Sequence, residues 1–267
     1  AIRLQEKAGL DYVSDGEWRR ENYARVFAES VGGFERREVK RGPLTLQAFV
    51  VDRLQPGGPI ARNEAEFLVR HTDRKTLVAL PSPCTIGDLM WHPEYSAPAY
   101  PTREEFVEAC VPIIRDEVIA LAEIGVSAIQ LDEPLLPRLA DPHTYGYDGL
   151  AELESAVELS VRTVNQIAAG LEDVFLTVHM CHAHQSRHRV TPGAEDLIMG
   201  AVRRMNVDRV AMEFNSPAAR GMQSLRDFPG DKILGLGVIE PGAQEVESPE
   251  TVIRLAEQAL RFVDKER

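Results

Sequence analysis

The stretch LEDVFLTVHMCHAH, from Leu171 to His184, decides how the rest of the chain is read. Val174 to Val178 is a short run rich in β-branched and apolar residues, the composition of a buried strand. It runs directly into His179, Met180, Cys181, His182 and His184. In a parallel α/β barrel the C-terminal ends of the strands carry the chemistry, because the loops that follow them converge on the axis. His179 and Cys181 offer an imidazole nitrogen and a thiolate, both suited to Zn²⁺. The same letters also describe a strand ending in a buried cysteine followed by solvated loop histidines, and a lone His-x-Cys does not choose between the two.

Outward from this stretch, strand and helix alternate in both directions. Leu10 to Val13, Thr76 to Leu80, Val126 to Leu131, Asp208 to Glu213 and Lys232 to Val238 read as further strands. Between them the spacing predicts helices over Trp18–Ser30, Ala61–Asp73, Glu105–Gly125, Leu150–Gly170, Ala194–Arg204 and Pro249–Val263, with a short one at Gly221–Phe228. Thr102 with Glu105 is a capping-box pair, and Ser248 is the expected N-cap of the last helix. Phe34 to Leu54 reads as a strand or hairpin within an irregular excursion spanning about 34–60, and Thr85 to Pro101, rich in Pro and aromatics, reads as an active-site loop. Alternating strands and helices with apolar strands predict a parallel sheet covered on both faces. Functional residues at nearly every strand exit favour a (β/α)₈ TIM barrel over a doubly wound sheet, and no G-x-G-x-x-G follows a strand. About six strand–helix units are visible, so the barrel is expected to be incomplete, with its first and last strands lying outside this chain. Ala1 already sits in a helical pattern and Arg267 directly follows another, which reads as an internal piece of a longer protein; residues 1–267 form one catalytic domain on this reading.

Composition bounds the partners. The 267 residues are 44% hydrophobic and 27% charged with a net charge of −12, ordinary for a globular protein and unfavourable for a nucleic-acid ligand. No apolar run approaches the roughly 20 residues needed to cross a bilayer, and no signal peptide is visible. The three cysteines, Cys84, Cys110 and Cys181, do not form a disulfide framework, so a reducing cytoplasm is expected. Cys110 falls on the apolar face of a helix; Cys84, in PSPCT after a strand, is a candidate for the same rim as Cys181. From the residues alone, Glu17 is a first-turn acid on the helix that follows, supported by its dipole, and Asp132 and Glu133 are rim acids available to a neighbouring arginine.

Four strand exits taken together, GLDYVSDGEWRREN (Gly9–Asn22), VSAIQLDEP (Val126–Pro134), LTVHMCHAH (Leu176–His184) and VAMEFN (Val210–Asn215), resemble the C-terminal catalytic barrel of cobalamin-independent methionine synthase and its single-barrel relatives. The resemblance covers nearly the whole chain. It implies a Zn²⁺ ion held by His179, Cys181 and Glu213, with a fourth ligand expected from a Pro-Asp-Cys-Gly segment beyond Arg267. It implies that Glu17 and Asp132 contact the amino group of the substrate and its surroundings, and that Pro81–Thr85 corresponds to a Gly-Pro-x-Thr turn near a folate. His182 and His184 stand where many relatives carry small residues, either as extra imidazole ligands or as solvated loop residues.

The activity implied is transfer of a methyl group from 5-methyltetrahydrofolate (polyglutamate) to homocysteine. Zinc would deprotonate a thiol that is otherwise a poor nucleophile at neutral pH. Rival readings are a related thiol alkyltransferase using a methylcorrinoid or an epoxide, a metal-free barrel related to uroporphyrinogen decarboxylase, and an inactive fragment. All versions with an active barrel expect Glu17, Asp132 and His179 on one face, at the C-terminal ends of strands closing at Asp15, Leu80, Leu131, Val178, Glu213 and Val238.

Overall fold

The computed structural model describes residues 1–41, 44–140, 150–181, 194–215, 221–240 and 243–267. In chain order its elements are α1 (Ile2–Ala8), β1 (Tyr12–Val13), α2 (Arg25–Ser30), β2 (Val31–Arg41), β3 (Leu44–Pro56), α3 (Arg62–Arg70), β4 (Lys75–Pro81), α4 (Pro83–Met90), α5 (Pro93–Ser96), α6 (Arg103–Glu123), β5 (Ala128–Asp132), α7 (Leu135–Leu139), α8 (Leu150–Ala168), β6 (Leu176–Met180), α9 (Ala194–Arg204), β7 (Arg209–Glu213), a 3-10 turn (Met222–Asp227), β8 (Ile233–Gly237) and α10 (Pro249–Ala259). Six strands form one sheet in the order β1-β4-β5-β6-β7-β8, every pairing parallel. β2 and β3 form a separate antiparallel hairpin. The six-stranded sheet with its helices is an incomplete TIM barrel.

The register explains why the strands read as they do. Asp132 lies opposite His179, which lies opposite Ala211; one pair back, Gln130 lies opposite Thr177, which lies opposite Arg209. Alternation along each strand therefore sends these polar residues to one face, and Ile129, Leu131, Val178, Met180, Val210 and Met212, all at most 2% exposed, to the other, where the helices pack. The sheet is strongly curled. In a flat sheet β1 and β7 would be four strand spacings apart, roughly 19 Å, yet the Arg209 guanidinium lies 5.1 Å from the centre of the Tyr12 ring and Phe175 stacks on the same ring at 6.5 Å. The polar faces of the strands thus look into a lumen whose lower end is closed by Tyr12, Phe175 and Arg209.

Several expectations need correction. The helix expected over Trp18–Ser30 begins only at Arg25, because Asn22 Oδ1 accepts from the backbone N–H groups of Ala24 and Arg25, and Glu17 turns the chain through a left-handed conformation before it. The segment read as a loop after Thr85 is largely helical, in α4 and α5. Ser82 caps α4, and both α4 and α5 start with proline, the position where a missing N–H costs nothing. A Cβ on Gly87 would collide with the Val107 side chain, so this glycine is what lets α4 lie against α6. The excursion is a hairpin of two long strands, with register shifts between Gly32 and Phe34 and between Arg36 and Val39. Among the described residues no helix is long and apolar enough to cross a membrane.

Candidate active site

The C-terminal ends of β5 and β6 meet in one hydrogen-bonded line. His179 Nδ1 donates to Asp132 Oδ1 at 2.9 Å, and Gln130 Nε2 donates to the same oxygen at 2.9 Å. The strand register brings Asp132 and His179 side by side, and the backbone continues it, with Glu133 N–H donating to His179 O at 2.8 Å. Burial works against charge on His179, but its hydrogen bonds to Asp132 and Cys181 outweigh it and raise the imidazole to about 10. Cys181 follows β6 directly and is partly exposed. Glu213 ends β7, mostly buried, and since Met180 lies opposite Met212, the next position on each strand is Cys181 and Glu213. Among the described residues no group of three or more His, Cys, Asp and Glu side chains is drawn together so as to hold a metal ion. The donor set of imidazole, thiol and carboxylate suits zinc, with two of its members in mutual contact and the third on the neighbouring strand. His182 and His184 lie outside the described residues.

Glu17 comes to this mouth from the β1 exit. It is not in a helix: its φ is 54°, and its carboxylate pairs with Arg20 at 3.1 Å. Burial raises its carboxyl above the ordinary range; Arg20 and His179 pull it down, while Asp132 and Asp15 push it up. The charges of Asp132 and His179 therefore reach Glu17, and the strand register puts Asp132 and His179 side by side on one face. Tyr23 joins them. Its phenol is raised by burial, with Asp132 and Cys181 adding to the effect and Arg138 opposing it. Neither Arg20 nor Tyr23 carried any distinguishing signal in the sequence beyond its nearness to Glu17.

Glu133 departs from its expected place at the rim. It alternates away from Asp132 into the wall between strands and helices, fully buried, where Ser82 Oγ donates to its Oε2 at 2.7 Å and Ser160 Oγ at 3.1 Å. Ser82 belongs to the PSPCT stretch, as does Thr85, whose hydroxyl donates to the Asp132 carbonyl at 3.0 Å. This stretch therefore braces the end of β5 from behind. Cys84 is buried beside Thr163, 3.8 Å away, and not at the rim; Cys110 is in the core.

Burial moves the Glu133 carboxyl from its ordinary 4.5 up to about 7, with Ser82, Ser160 and Arg138 opposing. A carboxyl raised on folding favours the folded state while protonated. Its contribution is complete below about 4.5 and is lost as pH rises to about 7, a change on the order of 3 kcal/mol. In denaturant titrations, Glu133→Gln is expected to remove this falling limb and to gain on the parent as pH rises. Parallel curves for the two proteins from pH 4.5 to 7.5 would refute it.

Comparison with known proteins bears on the fold and the family. The family described as cobalamin-independent synthase, catalytic domain, matches residues 1–267. A methionine synthase of Pyrococcus abyssi is 26% identical over 273 residues, covering 99% of this chain and 70% of that protein. One from Saccharolobus solfataricus is 26% identical over 270 residues, covering 98% and 71%. Among solved structures, a B12-independent methionine synthase from Shewanella sp. W3-18-1, determined in complex with selenomethionine, superposes with a TM-score of 0.80 at 24% identity, covering 99% of this chain and 76% of that one.

Proposed function

The chain belongs to the cobalamin-independent synthase catalytic-domain family, a family of methyltransferases, and from that membership we propose that it methylates a small thiol, homocysteine, from 5-methyltetrahydrofolate at a zinc site made by His179, Cys181 and Glu213. It is a methionine synthase-like enzyme by its relatives. The observation that carries the finer reading is the Asp132–His179–Cys181 line at the adjoining ends of β5 and β6. Zinc, when bound, supplies a Lewis acid that lowers the pKa of a coordinated thiol so that it is nucleophilic near neutral pH. Asp132 accepts from Nδ1 of His179, which leaves Nε2 as the nitrogen available to a metal, the usual division of labour between a ligating imidazole and its carboxylate partner. Glu17 and Asp132 put two carboxylates beside the same mouth, a setting that suits the ammonium group of an amino acid.

The test is zinc content together with thiol methylation. Purified protein is expected to hold one zinc, and Cys181→Ser to weaken zinc by more than about a hundredfold, since even an outer-shell partner is worth 10–100-fold. Because His179 is protonated near neutral pH without metal, zinc uptake should release protons and tighten as pH rises. A protein that binds no zinc, or a Cys181→Ser variant that binds it unchanged, would end this reading of the site.

A further inference from the structure

Glu17 is the one non-glycine residue with a positive φ among the described residues. A left-handed conformation costs a side chain such as glutamate roughly 1–3 kcal/mol, and it persists where the surroundings over-determine it. Arg20 holds this turn at two points. The Arg20 N–H donates to the Glu17 carbonyl at 2.9 Å, and Arg20 Nη1 pairs with Glu17 Oε1 at 3.1 Å. The same Nη1 donates to the carbonyl of Ala79 on β4 at 2.9 Å. β1 stops pairing with β4 at Val13 opposite Thr76, so this contact reaches β4 beyond the end of its neighbouring strand.

The Arg20 side chain is only 5% exposed and that of Glu17 29%, so their pairing is shielded from water on the arginine side. Its Nη2 is buried and has no hydrogen-bond partner among the described residues, so no second carboxylate is bonded through that nitrogen. Without Arg20, Glu17 would keep only the weaker pull of His179 against burial, Asp132 and Asp15, all of which disfavour its charge.

We propose that Arg20 is a positioning residue that locks the Glu17 carboxylate to the end of β4, where it receives the ammonium group of an α-amino-acid substrate. This rests on the reading of Glu17 as a substrate contact given above. Arg20 touches no reacting atom; it acts through Glu17.

A double-mutant cycle on binding separates this from a general structural role. Isothermal titration of the full chain would use two ligands: L-methionine, the product on the proposed reading, and 4-(methylthio)butanoate, which lacks the ammonium group. Glu17→Gln and Arg20→Met are each expected to weaken methionine about tenfold, the size of one charge-assisted hydrogen bond. The double variant should be no weaker than the weaker single. Binding of the ammonium-free ligand should stay within about twofold throughout, which also reports that the variants are folded, and Arg20→Lys should recover part of the methionine affinity.

Arg20→Met weakening both ligands alike, or singles whose effects multiply in the double variant, would overturn the proposal. So would an effect of Glu17→Gln without one of Arg20→Met, which strikes Arg20 alone. Wild-type protein that does not bind methionine, or Glu17→Gln that binds it normally, instead removes the substrate role of Glu17, and the role of Arg20 falls with it.

Discussion

Asp132→Asn is expected to lower kcat/KM for thiol methylation by about two to three orders of magnitude while leaving the fold intact, because one carboxylate serves two partners on the proposed reading. Its Oδ1 accepts from His179 Nδ1 and from Gln130 Nε2, both at 2.9 Å. An asparagine keeps the shape and loses the charge, and it can present its NH₂ to the imidazole, which reverses the tautomer and turns Nε2 from a metal-facing acceptor into a donor. Loss of such an orienting partner typically costs 10–100-fold in metal affinity or activity. Loss of one contact to a substrate ammonium adds about another factor of ten. Measuring zinc affinity beside kinetics separates the two parts: Asp132→Asn should weaken both zinc and substrate, whereas Glu17→Gln should weaken substrate alone. If Asp132→Asn held zinc as tightly as the parent, the hydrogen bond to His179 would be incidental to metal binding.

That pair was legible in the sequence only as two separate strand exits. LTVHM and AIQLD alternate apolar and polar residues, and once both are strands of one parallel sheet, the period of two commits Asp132 and His179 to the same face. The same rule places Glu133 on the opposite face, so its burial follows from the pattern that put Asp132 in the lumen, although reading the two acids as a rim pair hides it. Local chemistry was equally readable at Thr102 and Ser248, which accept from the N–H groups of Glu105 and Thr251 as their cap positions require. The failures have two causes, one local and one long-range. In PSPCT the Ser-Pro start signal of α4 was outweighed by the prolines and aromatics further on, and those aromatics belong to a second short helix. Arg20 meets Ala79 across 59 residues, and Arg41 and Arg138 meet Asp88 across 47 and 50. Nothing in the local pattern of an arginine says which distant carbonyl or carboxylate it will find.

The meeting at Asp88 is where the largest loss of stability is expected. Asp88 lies on α4, 1% exposed, and its Oδ2 accepts from Arg41 Nη2 and Arg138 Nη2, each at 2.8 Å. Arg41 Nη1 also donates to the Asp88 carbonyl at 3.0 Å. One carboxylate therefore ties the end of the β2–β3 hairpin and the α7 helix to α4. Arg138 is itself 1% exposed, so Asp88→Ala strips a buried guanidinium of a charged partner, a change that costs about 3–5 kcal/mol in comparable settings. Against a total stability of roughly 5–15 kcal/mol that is a large share, equivalent to a fall in Tm of about 6–20 °C for a chain of this size. Asp88→Asn should lose less, since it keeps an acceptor for one guanidinium. The damage should also reach the mouth of the barrel, because the first turn of α4 carries Thr85, which donates to the Asp132 carbonyl, and its cap Ser82 holds Glu133. Thermal and urea unfolding of the three proteins decide the matter. An Asp88→Ala variant within about 1 kcal/mol of the parent, the scale of an exposed ion pair, would mean that the two arginines are held by other contacts and that Asp88 is not what joins hairpin to barrel.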